Sequence, residues 1–152
     1  MTADDPADRD LCYAPPYSTA KDPVNMAGYV IGNILRGTVR QHTWKDVKRI
    51  AADENAILLD VQTRGEYAAA HLNGAVNIPV DELRGRMGEL DKSKTVYVNC
   101  YSGLRSYSAC RMLAANGCVC SNLAGGIRFY KVVAEGGVYD EVSRHLCGVK
   151  VE

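Results

Sequence analysis

Apolar residues are grouped into three short runs separated by stretches with helical patterning. Residues 56–61 form a nearly continuous apolar run, as expected for a strand covered on both faces. Val96-Tyr97-Val98 is a second run, inside a strand pattern over 95–99, and residues 118–123 are a weaker third. Between these runs, 65–72, 80–90 and 106–116 read as helices, the last one stopped by Gly117. Strands alternating with short helices predict an α/β fold with a mainly parallel central sheet. Ligands of such sheets bind at the carboxyl ends of the strands.

The first 40 residues are patterned differently. Asp22-Pro23 predicts a helix start, with Asp as N-cap and Pro in the first turn. Val24, Ala27, Val30, Ile31, Ile34 and Leu35 then make an apolar stripe, and Gly37 is placed to end the helix. Ahead of it, the paired prolines of Tyr13-Ala14-Pro15-Pro16-Tyr17 exclude helix. The expected division is an N-terminal helical extension over 1–40, a domain over 41–147 and a tail over 148–152.

Composition narrows the function classes. Among 152 residues, Lys+Arg and Asp+Glu both number 18, a balance that argues against a nucleic-acid partner. No apolar run is long enough to span a bilayer, and no signal-peptide pattern is present, so no membrane partner and a cytoplasmic location are expected. In that setting the six cysteines (Cys12, Cys100, Cys110, Cys118, Cys120 and Cys147) are expected as thiols. Cys118-Val119-Cys120 is not expected to hold a metal. Its thiols are read as facing apart, and no second Cys/His pair supplies the remaining ligands. Cys110 is read as a core thiol.

Cys100 reads otherwise. Cys100-Tyr101-Ser102-Gly103-Leu104-Arg105-Ser106 joins a strand pattern to a helical one. A strand that ends in cysteine, turns through glycine and enters a helix aims backbone N–H groups and the positive helix end at the sulfur. Such a site favours an anionic, nucleophilic sulfur. The expected site is therefore Cys100, with residues 101–106 as its anion-binding loop and the Arg105 charge beside it. Asp60 ends a strand and is expected to support the turn that follows. His71 is expected to cap helix carbonyls, and neither His71 nor Glu66 is expected as an acid or base.

Three stretches resemble the rhodanese-like sulfurtransferases, in that family's order. They are Leu59-Asp60-Val61-Gln62 through Glu66-Tyr67 to His71-Leu72-Asn73-Gly74-Ala75-Val76-Asn77-Ile78-Pro79, the loop from Cys100, and Leu123-Ala124-Gly125-Gly126-Ile127. The resemblance implies a three-layer α/β sandwich and transfer of sulfane sulfur through a persulfide on Cys100. The six residues 100–105 are one fewer than in tyrosine-phosphatase-type loops, so the implied ring suits a sulfur better than a phosphoryl group.

This chain also departs from the family. Gln62 stands where the family usually has arginine, so an ion pair is expected to be missing. Phe129-Tyr130 replaces a common tryptophan. Tyr101 and Leu104 stand where thiosulfate-preferring members tend to have a cation, which implies an organic persulfide or polysulfide donor ahead of thiosulfate, with a thiol as acceptor. A non-catalytic docking module and a small cysteine-dependent phosphatase are the alternatives.

Residues 11–37, with Tyr-Ala-Pro-Pro-Tyr and Lys-Asp-Pro-Val-Asn-Met-Ala-Gly, resemble the end of the dimerisation domain in flavin-dependent coenzyme A disulfide reductases and related NADH-dependent persulfide reductases. Some of these carry a rhodanese domain next. The resemblance implies a C-terminal piece of such a fusion. FAD and NAD(P)H are expected in the reductase domains rather than in this chain, which has no Gly-rich dinucleotide fingerprint. It also implies a flavoprotein reductase or a second copy as partner, and a possible active-site reach for Tyr13 or Tyr17.

Overall fold

The structure, a computed structural model, describes residues 2, 4–11 and 22–134. By its contacts the chain divides into two compact units, one ending at Arg40 and the other beginning at Gln41.

The first unit pairs a short helix α1 (Asp4–Ala7) with α2 (Pro23–Leu35). The expected cap is present: Asp22 Oδ1 accepts from the Val24 N–H at 2.8 Å, and Pro23 occupies the first turn. Gly37, at φ +66°, takes the left-handed conformation that ends the segment. The helices meet closely at Gly28, where an added Cβ would lie 2.4 Å from Ala7 N. Asn25 Nδ2 fixes the approach by donating to the Pro6, Ala7 and Arg9 carbonyls at 2.9–3.2 Å.

The second unit is a five-stranded sheet. Its strands are β1 (Arg40–His42), β2 (Ala56–Asp60), β3 (Val76–Asn77), β4 (Thr95–Asn99) and β5 (Cys120–Leu123), in the order β1-β5-β4-β2-β3. The pairs β2–β3, β2–β4 and β4–β5 are parallel. The helices are α3 (Val47–Ala51), α4 (Arg64–Ala69), α5 (Val80–Arg86), α6 (Leu104–Ala115) and α7 (Gly126–Ala134). One face of the sheet is covered by α6, which packs on β4 and β5 and against α5. On the other face Val47 and Ile50 of α3, Tyr67 of α4 and Ile127 and Tyr130 of α7 join Leu58, Tyr97 and Leu123 in one apolar cluster. The result is the expected α/β arrangement, with helices over both faces of a mainly parallel sheet.

β1 and β3 have no apolar run of their own, at three and two residues, and the sequence pattern does not reveal them. The pattern places the start of α6 at Ser106, but the helix begins at Leu104. Gly103 supplies the left-handed turn in a single residue, so the chain is helical from the next one. Cys118 and Cys120 are both buried, with exposed Val119 between them. The expectation that their thiols face apart is therefore corrected: in extended chain, residues two apart point to the same side. Cys12, Tyr13, Tyr17, Cys147 and the tail 148–152 lie outside the described residues.

Candidate active site

β4 ends at Asn99, and the next residue, Cys100, is fully buried at the carboxyl end of the sheet. Only residues 101–103 separate it from α6. Gly103 is the N-cap of α6 at φ +97°, a conformation that a side chain would strain. The first helical bond runs from Tyr107 N–H to the Gly103 carbonyl at 3.1 Å. The amides of residues 104–106 thus precede the helical ladder. Three donors meet at Cys100 Sγ: Gly103 N–H at 3.1 Å, Ser106 N–H at 3.4 Å and the Ser106 hydroxyl at 3.3 Å. This end of a 12-residue helix also carries the positive end of its dipole, so amide donors and dipole point at the sulfur together.

Within the loop 101–106, the donors to Sγ among the described residues come from Gly103 and Ser106. Tyr101, Ser102 and Leu104 have exposed side chains. Arg105 does not hold its charge for the sulfur alone. Its guanidinium grips Glu66 through two bonds of 2.7 Å. Glu66 above all, and more weakly the neighbouring Cys100 sulfur, raise the pKa of Arg105. Arg105, with help from Thr63, brings the Glu66 carboxyl down to about 2. Glu66 also closes the capping box of α4, accepting from Thr63 N–H at 3.0 Å and Thr63 Oγ1 at 2.9 Å.

Asp60 supports the turn as expected, accepting at 2.8 Å from the Gln62 N–H. Gln62 is itself buried, and in place of an ion pair its Nε2 donates to Asp60 Oδ2 and to the Ala70 carbonyl, both at 3.1 Å. Asn99 Nδ2 donates to the same Asp60 oxygen at 2.8 Å, which ties the residue before Cys100 to β2. Burial nonetheless pushes the Asp60 carboxyl up, against these donors. His71 lies on the surface, stacked on Tyr67 with ring centroids 4.0 Å apart and Nδ1 2.8 Å from the Tyr67 carbonyl.

The loop is held from outside by the start of α7. Ile127 N–H donates to the Cys100 carbonyl at 2.9 Å and Arg128 N–H to the Tyr101 carbonyl at 3.0 Å. A Cβ on Gly126 would stand 2.5 Å from the Cys100 oxygen and 2.8 Å from Gly103 N, so the backbones can meet only at glycine. In the sequence, Gly126 and Glu66 stand out only as members of the stretches that resemble the family. The Thr63-x-x-Glu66 capping-box pattern is a local signal for the carboxylate, whereas its pairing with Arg105, 39 residues on, has none.

The other buried thiols are separate from this cradle. Cys120 Sγ donates to the Cys110 carbonyl at 3.2 Å, and Cys120 together with burial pushes the Cys110 thiol far up. No cluster of three metal-ligating side chains occurs among the described residues.

Residues 43–131 match the model of the Rhodanese-like domain. The chain belongs to that family. A sulfurtransferase of Allochromatium vinosum is 37% identical over 81 residues, covering 53% of this chain and 76% of that protein. Among solved structures, the reduced CoADR-RHD of Bacillus anthracis superposes with a TM-score of 0.84 at 42% identity, covering 91% of this chain. That is more than the residues from 41 onward can supply, so the likeness extends into the N-terminal unit. A NAD-dependent persulfide reductase from A. fulgidus matches with a TM-score of 0.71 at 35% identity over 85% of this rhodanese-like chain. The chain spans 25% and 23% of those two longer proteins. It therefore resembles the C-terminal part of a reductase–rhodanese fusion. No helix among its described residues is long and apolar enough to cross a membrane.

Proposed function

We propose that the chain is a sulfurtransferase that carries sulfane sulfur on Cys100, taking it from an organic persulfide or polysulfide and giving it to a thiol. The observation that supports this most is the convergence of the Gly103 N–H, Ser106 N–H and Ser106 hydroxyl on Cys100 Sγ. The Cys100 thiolate attacks the outer sulfur of R–S–SH. A new S–S bond forms, the old one breaks, and R–S⁻ leaves with its electron pair. An acceptor thiolate then attacks the outer sulfur of the Cys100 persulfide and regenerates the Cys100 thiolate. Electrons balance at each step, and no cofactor enters.

The donors around Sγ serve the anionic sulfur in both half-reactions. Asp60, Gln62 and Asn99 are positioning residues, and Glu66 sets where Arg105 stands. Thiosulfate is the weaker donor, because Glu66 already shares the Arg105 charge and the exposed Tyr101 and Leu104 add none. A reductase with FAD and NAD(P)H in its own domains, of the coenzyme A disulfide or persulfide type, fits as the system that uses this sulfur in the cytoplasm. The exposed apolar face of α2 is the surface offered to that flavoprotein or to a second copy.

Complete burial of Cys100 favours a second reading, a docking module whose cysteine is structural. Intact mass after incubation with polysulfide separates the two. One added sulfur, lost in Cys100→Ser along with all turnover, is expected. An unmodified protein, or sulfur mapped to Cys110 or Cys118, would overturn the assignment.

A further inference from the structure

A cleft of about 180 Å³ opens beside the loop, bounded by α4, Tyr101 and α7. Ala69, Ala70 and Ile127 give it an apolar wall, and the exposed Tyr101 ring stands where the loop leaves Cys100. Arg128 and Lys131 line it from α7, three residues apart and so on one helix face. Neither cation has an ion-pair partner among the described residues. Glu66, the acid of the cleft, is neutralised by Arg105. The cleft is therefore apolar along its wall and carries positive charge that no acid among the described residues pairs with.

Size and chemistry together select an occupant. About 180 Å³ is room for a thin thiol arm, and the open side of the cleft leaves the rest of a larger thiol in solvent. Buried Gln62 lines the same space with both hydrogens of its amide nitrogen committed to Asp60 and Ala70, so its oxygen is the side chain's remaining polar atom there. We propose that the cleft binds the organic part of the sulfur donor or acceptor and selects thiols with an acidic tail, whose carboxylate or phosphate meets Arg128 and Lys131. This deepens the sulfurtransferase reading and rests on it. The ends of the substrate have separate tasks: the outer sulfur reacts at Cys100, while the tail only determines which thiol is held there.

The test compares persulfides of three charges on the full chain, those of glutathione (anionic), 2-mercaptoethanol (neutral) and cysteamine (cationic). Inorganic polysulfide, which has no tail to bind, serves as control. The expected result is a kcat/KM for glutathione persulfide at least about fivefold above the neutral donor, a size suited to two exposed charge contacts, and falling with added salt. Arg128→Ala/Lys131→Ala should remove that advantage through KM, leaving kcat and polysulfide loading of Cys100 unchanged. Arg128→Glu/Lys131→Glu should shift preference to the cysteamine donor. Equal kcat/KM for all three donors, or an equal loss for all three in the double variant, would sink the cleft proposal while polysulfide still loads Cys100. Failure of polysulfide to load Cys100 in the unaltered chain would remove the sulfurtransferase reading itself, and this proposal with it.

Discussion

Helices α2 and α6 have nearly the same length, 13 and 12 residues, and opposite relations to water. α2 is rich in apolar residues, yet Val24, Tyr29, Val30, Ile31, Ile34 and Leu35 are exposed, and Gly28 and Gly32 are the buried positions. α6 is far less apolar, yet it buries Ser106, Ala109, Cys110 and Leu113 against the sheet. Within its unit α2 turns its small, polar side inward, where Gly28 meets α1 and Asn25 binds carbonyls, and its greasy side outward. Such a unit holds together locally but leaves its main source of hydrophobic stabilisation unused. α6 has the reverse design: its packing on β4 and β5 is complete, and what it presents at its N-terminus is a set of amides aimed at a sulfur.

The sharpest way to break this contrast is at the contact that seats the loop. Gly126→Ala would drive a methyl into the Cys100 and Tyr101 carbonyls and Gly103 N. Sulfur transfer should fall by more than about 10²-fold, the cost of losing one such donor, with a lowered melting temperature. Near-normal activity would show that the loop does not need α7. Gly103→Val should act similarly, through its φ of +97° rather than through crowding.

Next comes the Arg105–Glu66 pair. Arg105→Ala removes the cation and leaves the Glu66 carboxylate without its guanidinium partner. Transfer should drop on the order of 10²-fold. Adding Glu66→Ala should restore part of that loss, since the two residues are directly coupled. If both single variants and the double variant transfer sulfur at the normal rate, charge at this position is irrelevant.

A third test reads the sheet away from the sulfur. His42 is buried, 3.1 Å from Ser121 Oγ and edge-on to Tyr97, and burial pushes its imidazole down from 6.5 to about 4. The unfolded chain therefore takes up a proton at higher pH than the folded one. Stability should be unaffected above pH 6.5 and decline as pH falls towards 4, by on the order of 3 kcal/mol in total. His42→Gln should flatten that slope in chemical denaturation. An unchanged slope would mean that another group governs it.

The smallest expected effect sharpens the contrast most. Deleting residues 1–38 removes α2 and its exposed face but nothing of the cradle, so kcat/KM with polysulfide should stay within about twofold, a change close to the scale of thermal energy. Light scattering should report species no larger than those of the full chain, since the exposed apolar face of α2 is gone. A large loss of activity in a still-folded deletion would place part of the N-terminal unit in the site.

What could be read from the sequence follows the range of the interactions. The Asp22-Pro23 start, Gly37 and Gly117 act within one turn of chain and are visible directly. The three apolar strands are visible because central parallel strands are covered on both sides. β3 is not, since its two residues take their conformation from pairing with Leu59 and Asp60. Cys100 is legible because strand, glycine and helix are consecutive. The Glu66–Arg105 pairing escapes notice because the two residues meet only through the strand order, which places α4 beside the start of α6. The inner donors escape too: sequence names the loop, but only the φ of Gly103 decides which amides reach Sγ.

The seating of the loop on α7 also bears on chemistry that involves no substrate. The Cys100 and Tyr101 carbonyls are turned back to the amides of Ile127 and Arg128, while the hydrogens of Gly103 and Ser106 ring the sulfur. A soft metal ion binds where several lone pairs converge. At Cys100 it would meet one sulfur inside a shell of hydrogens. A cradle of this polarity favours an anionic occupant beside the sulfur over a cationic one.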